Sequence, residues 1–266
     1  MNRSQIRLHP WMVAATIAIA VLATATSLLG LVTSWPYESE TVNWALQAQG
    51  QDVGNLAAVV TLLIGMLGAA SSGSVRAFQI WIGSLLYLTY AFVIYAMGVH
   101  FGPLFLPYVS VLGLSAYTVL FGLLGWSGGV VVAPRVRTLG VVVVSVIAVA
   151  FGLLWVGSIA GALAAGEPPA ELTEAGLAAN PVHVLDLALV LPGMLIVAIR
   201  AHTGRPGGDQ LLAPWLVFAA LMAASIVAAM LLADAPPAPL LLLTLITVIS
   251  TTAATVVLKA TTAPSR

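Results

Sequence analysis

Thr138 to Ala165 reads TLGVVVVSVIAVAFGLLWVGSIAGALAA, 28 residues without one ionisable side chain. A hydrocarbon core about 30 Å thick is crossed by roughly 20 apolar helical residues, so this stretch can span a bilayer. Within hydrocarbon the backbone polar groups must be satisfied by the segment itself, and a helix does that. Seven further stretches read the same way, at 11–33, 54–71, 77–99, 103–125, 181–200, 211–233 and 237–258. The expected fold is all-α: a polytopic membrane helix bundle of eight transmembrane helices in a single integral membrane domain over 1–266. Ser71-Ser72-Gly73-Ser74, Phe101-Gly102-Pro103 and Asp234-Ala235-Pro236-Pro237 separate neighbouring spans, because proline and the residue before it both disfavour continuing a helix.

Composition points the same way. Apolar residues make up 61% of the 266 and charged residues 7%, against about 25% charged in soluble domains. Nine Lys and Arg balance nine Asp and Glu, which leaves no basic footprint for a nucleic acid. The absence of cysteine excludes disulfides, thiolate metal sites and thiol redox chemistry. No motif requires a cofactor. Arg3 and Arg7 precede the first apolar run, and Ala23-Thr24-Ala25 imitates a signal cleavage site. The run continues through Leu28, Leu29, Leu31 and Val32, longer than a signal core of about 7–15 residues, so a retained first helix is expected.

With eight spans, every basic residue falls on one side: Arg3, Arg7, Arg76, Arg135, Arg137, Arg200, Arg205, Lys259 and Arg266. The positive-inside rule then predicts cytoplasmic N- and C-termini. Glu38, Glu40, Asp52, Glu167, Glu171, Glu174 and Asp234 fall opposite, leaving Asp209 as the one acid in a cytoplasmic loop and Asp186 within a span. Trp11, Trp81, Trp126 and Trp215 near inner ends, and Trp35 and Trp44 near outer ones, are expected to anchor the interfaces. A 4+4 parallel repeat, with half-repeats 11–125 and 138–258, is also suggested. Gly65-Met66-Leu67 and Gly193-Met194-Leu195 recur on helices two and six, 128 residues apart, each followed by a cytoplasmic arginine loop.

An ionisable group inside a span costs about 2.5–3.5 kcal/mol on insertion scales, which makes Asp186 a functional candidate. It lies about 8 Å below the outer end of helix six, five residues past Pro181, and His183 shares its helical face. Asp52 and Asn55 open helix two in this reading, His100 closes helix three, and Tyr95 and Tyr108 lie nearby. Asp52 can equally be read as the N-cap of helix two, Asn180 as a cap before Pro181, and His100 as an interfacial residue. A metal would draw on His100, His183 and Asp186, but no His-x-x-x-His or His-Glu-x-x-His spacing occurs, and no metal is assigned. Ser/His/Asp hydrolysis lacks its Gly-x-Ser-x-Gly elbow. Thr244, Thr247, Thr251 and Thr255 share one face of helix eight, and Gly157 to Gly161 gives helix five a small-x-x-x-small face; both read as helix-packing surfaces. Pro107 and Pro192 are expected to kink helices four and six.

Gln49-Gly50-Gln51-Asp52, the stretch from Tyr87 to Tyr108 with Gly98-Val99-His100-Phe101-Gly102-Pro103-Leu104-Phe105-Leu106, and His183-Val184-Leu185-Asp186 resemble a group of uncharacterised bacterial multi-pass membrane proteins. The resemblance covers mainly helices two to four and six, implies a bacterial cytoplasmic (inner) membrane and carries no activity with it. The multi-histidine pattern of membrane ceramidase-like hydrolases is missing. The function expected is non-enzymatic: an outward-facing polar pocket binding a small ligand or a lipid headgroup, permease-like, lined by Asp52, Asn55, Tyr95, His100, Tyr108, His183 and Asp186. The alternatives are a metal-assisted membrane hydrolase using the same His/Asp cluster and an accessory or structural membrane subunit. The bilayer is the expected partner; oligomeric state is not legible.

Overall fold

Eight helices are long and apolar enough to cross a membrane, which makes this a multi-pass membrane protein of the all-α class. The computed structural model describes residue 6 and residues 8–126 and 129–262, so Arg3, Arg7 and Arg266 lie outside the described residues. The spans are α1 (Pro10–Val32), α2 (Val42–Ser72), α3 (Val75–Gly98), α4 (Phe105–Leu124) and α5 (Pro134–Ala165). A short α6 (Ala170–Ala175) precedes the sixth span. That span starts as α7 (Pro181–Leu185), passes through one π turn (Asp186–Val190) and continues as α8 (Leu191–His202). α9 (Gly208–Leu232) and α10 (Pro237–Ala260) complete the chain. Proline opens α1, α5, α7 and α10, where its missing N–H would be unpaired anyway. α2 and α5 stop at Gly73 and Gly166, whose φ values of 62° and 72° suit glycine.

The largest departure from the sequence reading is at α2, which begins at Val42 rather than near 54. Asn43, Gln47, Gln49, Gln51 and Asp52 depress hydropathy there, yet glutamine and alanine are adequate helix formers. The face carrying Trp44, Ala48, Gly50 and Asp52 is buried. Thr41 is the N-cap, its hydroxyl accepting the Trp44 N–H at 3.2 Å, so Asp52 caps nothing. α5 likewise starts early and takes Arg135 and Arg137 into its first turn. Pro107 sits in the first turn of α4 and leaves that helix unbroken, whereas Pro192 directly follows the π turn, where the Leu191 N–H reaches Asp186 O. A π turn is one way to re-seat a backbone ladder ahead of a residue that cannot donate.

α1 packs on α2, α2 on α3, α3 on α4, and α4 back on α1. The second half repeats that ring: α5 on the sixth span, the sixth span on α9, α9 on α10, and α10 on α5. The two rings meet where α9 packs on α2 and α3, and where α7 packs on α3. α3 is the central element, with 61% of its most apolar stretch buried against 22% for α5 and α10. The contact between α2 and α9 is glycine-mediated. A β-carbon at Gly50 would fall on the backbone of Ala229, and one at Gly54 on the Tyr87 hydroxyl and Ser225. Small residues four apart on both helices allow this approach.

Three packing expectations are corrected. A β-carbon at Gly157 or Gly161 would meet nothing within 4 Å, so helix five does not use its small face inside the chain. Thr244, Thr251 and Thr255 are exposed, and Thr244, Thr247 and Thr255 return their hydroxyls to carbonyls four residues back. α10 packs instead through Ser250, Ala253, Ala254 and Val257. Trp81 is fully buried, donating to Thr16 Oγ1 at 3.1 Å, and Trp44 donates to Gly98 O at 2.6 Å; both are interior residues whose indole N–H has a partner, while Trp11 and Trp35 stay exposed.

The end predicted to be cytoplasmic is tied by its basic residues. Arg137 forks onto Asp209, with Nε to Oδ1 and Nη2 to Oδ2 both at 2.7 Å. Asp209 Oδ2 also accepts the Val132 N–H at 2.9 Å, and Arg76 donates to Thr261 O. These contacts frame a two-residue antiparallel ribbon of β1 (Val131–Val132) and β2 (Thr261–Thr262). The one acid that breaks the charge asymmetry thus neutralises an arginine in a bidentate pair.

Candidate functional site

The seven candidate residues separate into three groups. Asp52, Asn55, Tyr95 and Tyr108 meet inside the first ring. The Tyr37 hydroxyl donates to Asp52 Oδ2 at 2.7 Å, and the Tyr95 hydroxyl donates to Oδ1 at 2.8 Å while lying 3.0 Å from Ala48 O. Asn55 Nδ2 donates to Ser27 Oγ at 3.1 Å and lies 3.4 Å from the Tyr95 hydroxyl. Tyr108 stacks on Tyr95 with ring centroids 4.9 Å apart. All are buried, and Gly30 leaves the room beside Asp52 Oδ2 and the Tyr37 ring that a β-carbon would fill. Tyr37 sits in a short turn outside the spans. Burial, and then the neighbouring Asp52 carboxyl, push its hydroxyl well above the usual tyrosine range, so it stays a donor at physiological pH. Both Asp52 oxygens have phenol donors, as in a structural network, while the buried Asn55 Oδ1 and Tyr108 hydroxyl have no hydrogen-bond partner.

His100 belongs to neither buried cluster. Its side chain is 60% exposed, and its backbone N–H and Nδ1 lie 2.7 and 3.0 Å from the Glu40 carboxylate. It pins the turn between α3 and α4 to the turn before α2.

His183 and Asp186 form the third group, on the sixth span facing α5. Trp155 Nε1 donates to Asp186 Oδ2 at 2.8 Å, and the Trp155 ring lies 4.5 Å from the His183 ring. The Tyr90 hydroxyl of α3 also faces Asp186. Asp186 and His183 are 9% and 7% exposed, and His183 Nε2 has no hydrogen-bond partner. One turn from Trp155 toward the predicted outer end of α5, Ser158 donates to Glu171 of α6, which holds that carboxyl below its ordinary value. A shallow, mostly apolar hollow of about 400 Å³ lies above, lined by Ile159, Ala162, Leu163, Gly166, Glu167, Pro168 and Pro169.

The single seven-residue pocket expected from sequence is therefore not assembled in this conformation: two buried clusters and a separate His100–Glu40 contact replace it. Among the described residues no three His, Asp or Glu side chains gather as a metal would need, so His100, His183 and Asp186 do not make a ligand set. Sequence reading missed Tyr37, Trp155 and Tyr90. Trp155 carried a usable signal, because an indole N–H away from the interfaces must find an acceptor. Tyr37 carried none: it lies in a turn outside the apolar runs, and only the tertiary fold brings it to Asp52.

No protein family matches this chain, and neither the curated proteins nor the solved structures contain a match. Function has to be read from the site itself.

Proposed function

We propose that the chain is a permease-like membrane protein that binds a small polar ligand or lipid headgroup at the His183–Asp186–Trp155 cluster. The observation that carries this is a buried His/Asp pair, with His183 Nε2 left without a hydrogen-bond partner, at the one π turn among the described residues. Ionisable groups in spans are costly and π turns recur at functional sites, so their coincidence favours a role beyond packing. The Asp52 network serves the fold in this reading. The hydrolase alternative finds no ligand set, and no observation favours the accessory role.

The two rings support descent from a duplicated four-helix unit with its halves parallel. The 128-residue register that aligns Gly65 with Gly193 also aligns Asn55 with His183. Gly65 abuts Trp81 of α3, and Gly193 abuts Trp215 of α9, the corresponding helix. Ligand sites of such proteins lie where the repeats meet, and α7 packs on α3 across that boundary.

Residence in a bacterial cytoplasmic membrane with both termini inside follows from the resemblance and the charge asymmetry. The natural lack of cysteine makes topology directly measurable. In intact cells a membrane-impermeant maleimide is expected to label Ser39→Cys and Glu167→Cys, and to reach Ser74→Cys and Thr203→Cys only after permeabilisation. Labelling of the second pair in intact cells overturns the orientation.

For the site, purified protein screened by thermal shift against amines, carboxylates, sugars and lipids is expected to give a class that raises the melting temperature of the wild type. Asp186→Asn removes that shift. A shift that persists in Asp186→Asn, or no responding class, defeats the assignment.

A further inference from the structure

We infer that the His183–Asp186–Trp155 site takes a protonated amine with an apolar body, either free or as the ethanolamine headgroup of a lipid; this rests on the proposed role of that site in ligand binding. Asp186 is a carboxyl buried among helices without a lysine or arginine beside it. All the described basic residues of the chain, Arg76, Arg135, Arg137, Arg200, Arg205 and Lys259, lie in the turns and helix ends at the opposite end of the bundle. A ligand that supplies the missing positive charge makes an ion pair there in low dielectric, where such pairs are strong. Anionic ligands meet repulsion instead.

The surrounding groups narrow the cation. The Trp155 indole N–H and the Tyr90 hydroxyl point at Asp186 and fix its carboxyl, leaving the remaining lone pairs to an ammonium. His183 Nε2, in a residue 7% exposed and against the Trp155 ring, lacks any partner. A neutral imidazole with its proton on Nδ1 offers a lone pair at that atom, which an N–H-bearing ammonium satisfies and a quaternary ammonium does not. Toward the predicted outer end of α5 lies a hollow edged by Glu167 and walled by Ile159, Ala162 and Leu163, with Glu171 bonded to Ser158 nearby; the three cluster side chains do not line it.

The test reads Trp155 fluorescence, with Trp155→Phe subtracted to remove the other six tryptophans. In detergent, n-butylammonium is expected to change the Trp155 signal saturably, and n-butanol, butanoate and tetramethylammonium to change it weakly or not at all. Asp186→Asn is expected to weaken butylammonium binding at least about tenfold, and His183→Gln by about threefold to tenfold, as expected for loss of a charge partner and of a single hydrogen bond. Should Asp186→Asn fail to fold, His183→Gln and the comparison of the four solutes decide alone. Saturable binding of butanol or butanoate in place of the amine overturns the cation assignment and leaves the ligand site standing. Silence of Trp155 toward all four solutes overturns it as well, and the broader thermal-shift screen then judges the site independently. Nanodiscs separate the two sources of amine. A higher apparent Kd for butylammonium in phosphatidylethanolamine than in phosphatidylcholine, a zwitterionic lipid whose quaternary ammonium has no N–H, identifies the lipid headgroup as the occupant, and equal values identify a free amine.

Discussion

Asp52→Ala is expected to lower the unfolding free energy of the detergent-solubilised protein by about 2–6 kcal/mol. The figure follows from stranding two buried hydroxyl donors at about 1–3 kcal/mol each. Tyr37 and Tyr95 converge on the two carboxyl oxygens from the turn after α1 and from α3, while Asp52 itself stands on α2. Removing the acceptor therefore loosens three elements together. Without the carboxylate the phenols keep only neutral neighbours: Ala48 O and the Asn55 amide for Tyr95, and the Tyr95 hydroxyl for Tyr37. Triple replacement, Asp52→Leu with Tyr37→Phe and Tyr95→Phe, is expected to recover much of the loss, because removing both sides of a buried polar contact costs far less than removing one. Thermal or chemical melts followed by near-UV circular dichroism measure both. Wild-type melting of Asp52→Ala would show that the network adds nothing to stability, and would return Asp52 to the list of ligand-binding candidates.

Gly50→Val is expected to be as damaging for a different reason. Overpacking a well-filled core ordinarily costs about 1–3 kcal/mol, and more when backbone rather than a flexible side chain must yield. At Gly50 the obstacle is the backbone of Ala229, so α2 and α9 must separate along the seam that joins the two rings. Loss of about 3 kcal/mol or more is expected, seen as low recovery of monodisperse protein and a depressed melting temperature. Gly157→Val on α5 is the matched control: nothing lies within 4 Å of the added carbon, and near-wild-type melting is expected. Equal tolerance at both positions would contradict the close approach of α2 and α9.

The contrast between these glycines shows where sequence reading reaches its limit. Gly157-x-x-x-Gly161 and Gly50-x-x-x-Gly54 are the same motif, yet only the second is used within the chain. In a lipid-embedded helix, apolar and small residues are acceptable on every face. Periodicity therefore does not separate the side that meets protein from the side that meets acyl chains, as it does in water. The threonines of α10 illustrate the same ambiguity, because the hydroxyls of Thr244, Thr247 and Thr255 bond their own helix wherever the face points. At α2 the error had another source: a hydropathy window averages over all faces, and the polar turns before residue 54 are helical because one face, Trp44, Ala48, Gly50 and Asp52, is buried.

The site was legible in part. His183 and Asp186 share a face by helical spacing alone, and Asp52, Asn55, Tyr95 and Tyr108 meet as depth suggested. Their division into separate clusters depended on which helices are neighbours. Depth along the bundle axis says nothing about that, and His100 at a similar depth turns outward to Glu40.

The amino-acid order alone determined how many helices cross, nearly where most of them start and stop, and which end gathers the cations, because the energetic cost of placing charge and open backbone in hydrocarbon acts on each segment separately. Helix neighbours, helix rotation and the partners of each buried polar atom emerged only from the tertiary structure. Those are set by close contact between surfaces such as Gly50 and Ala229, and no segment carries that information by itself.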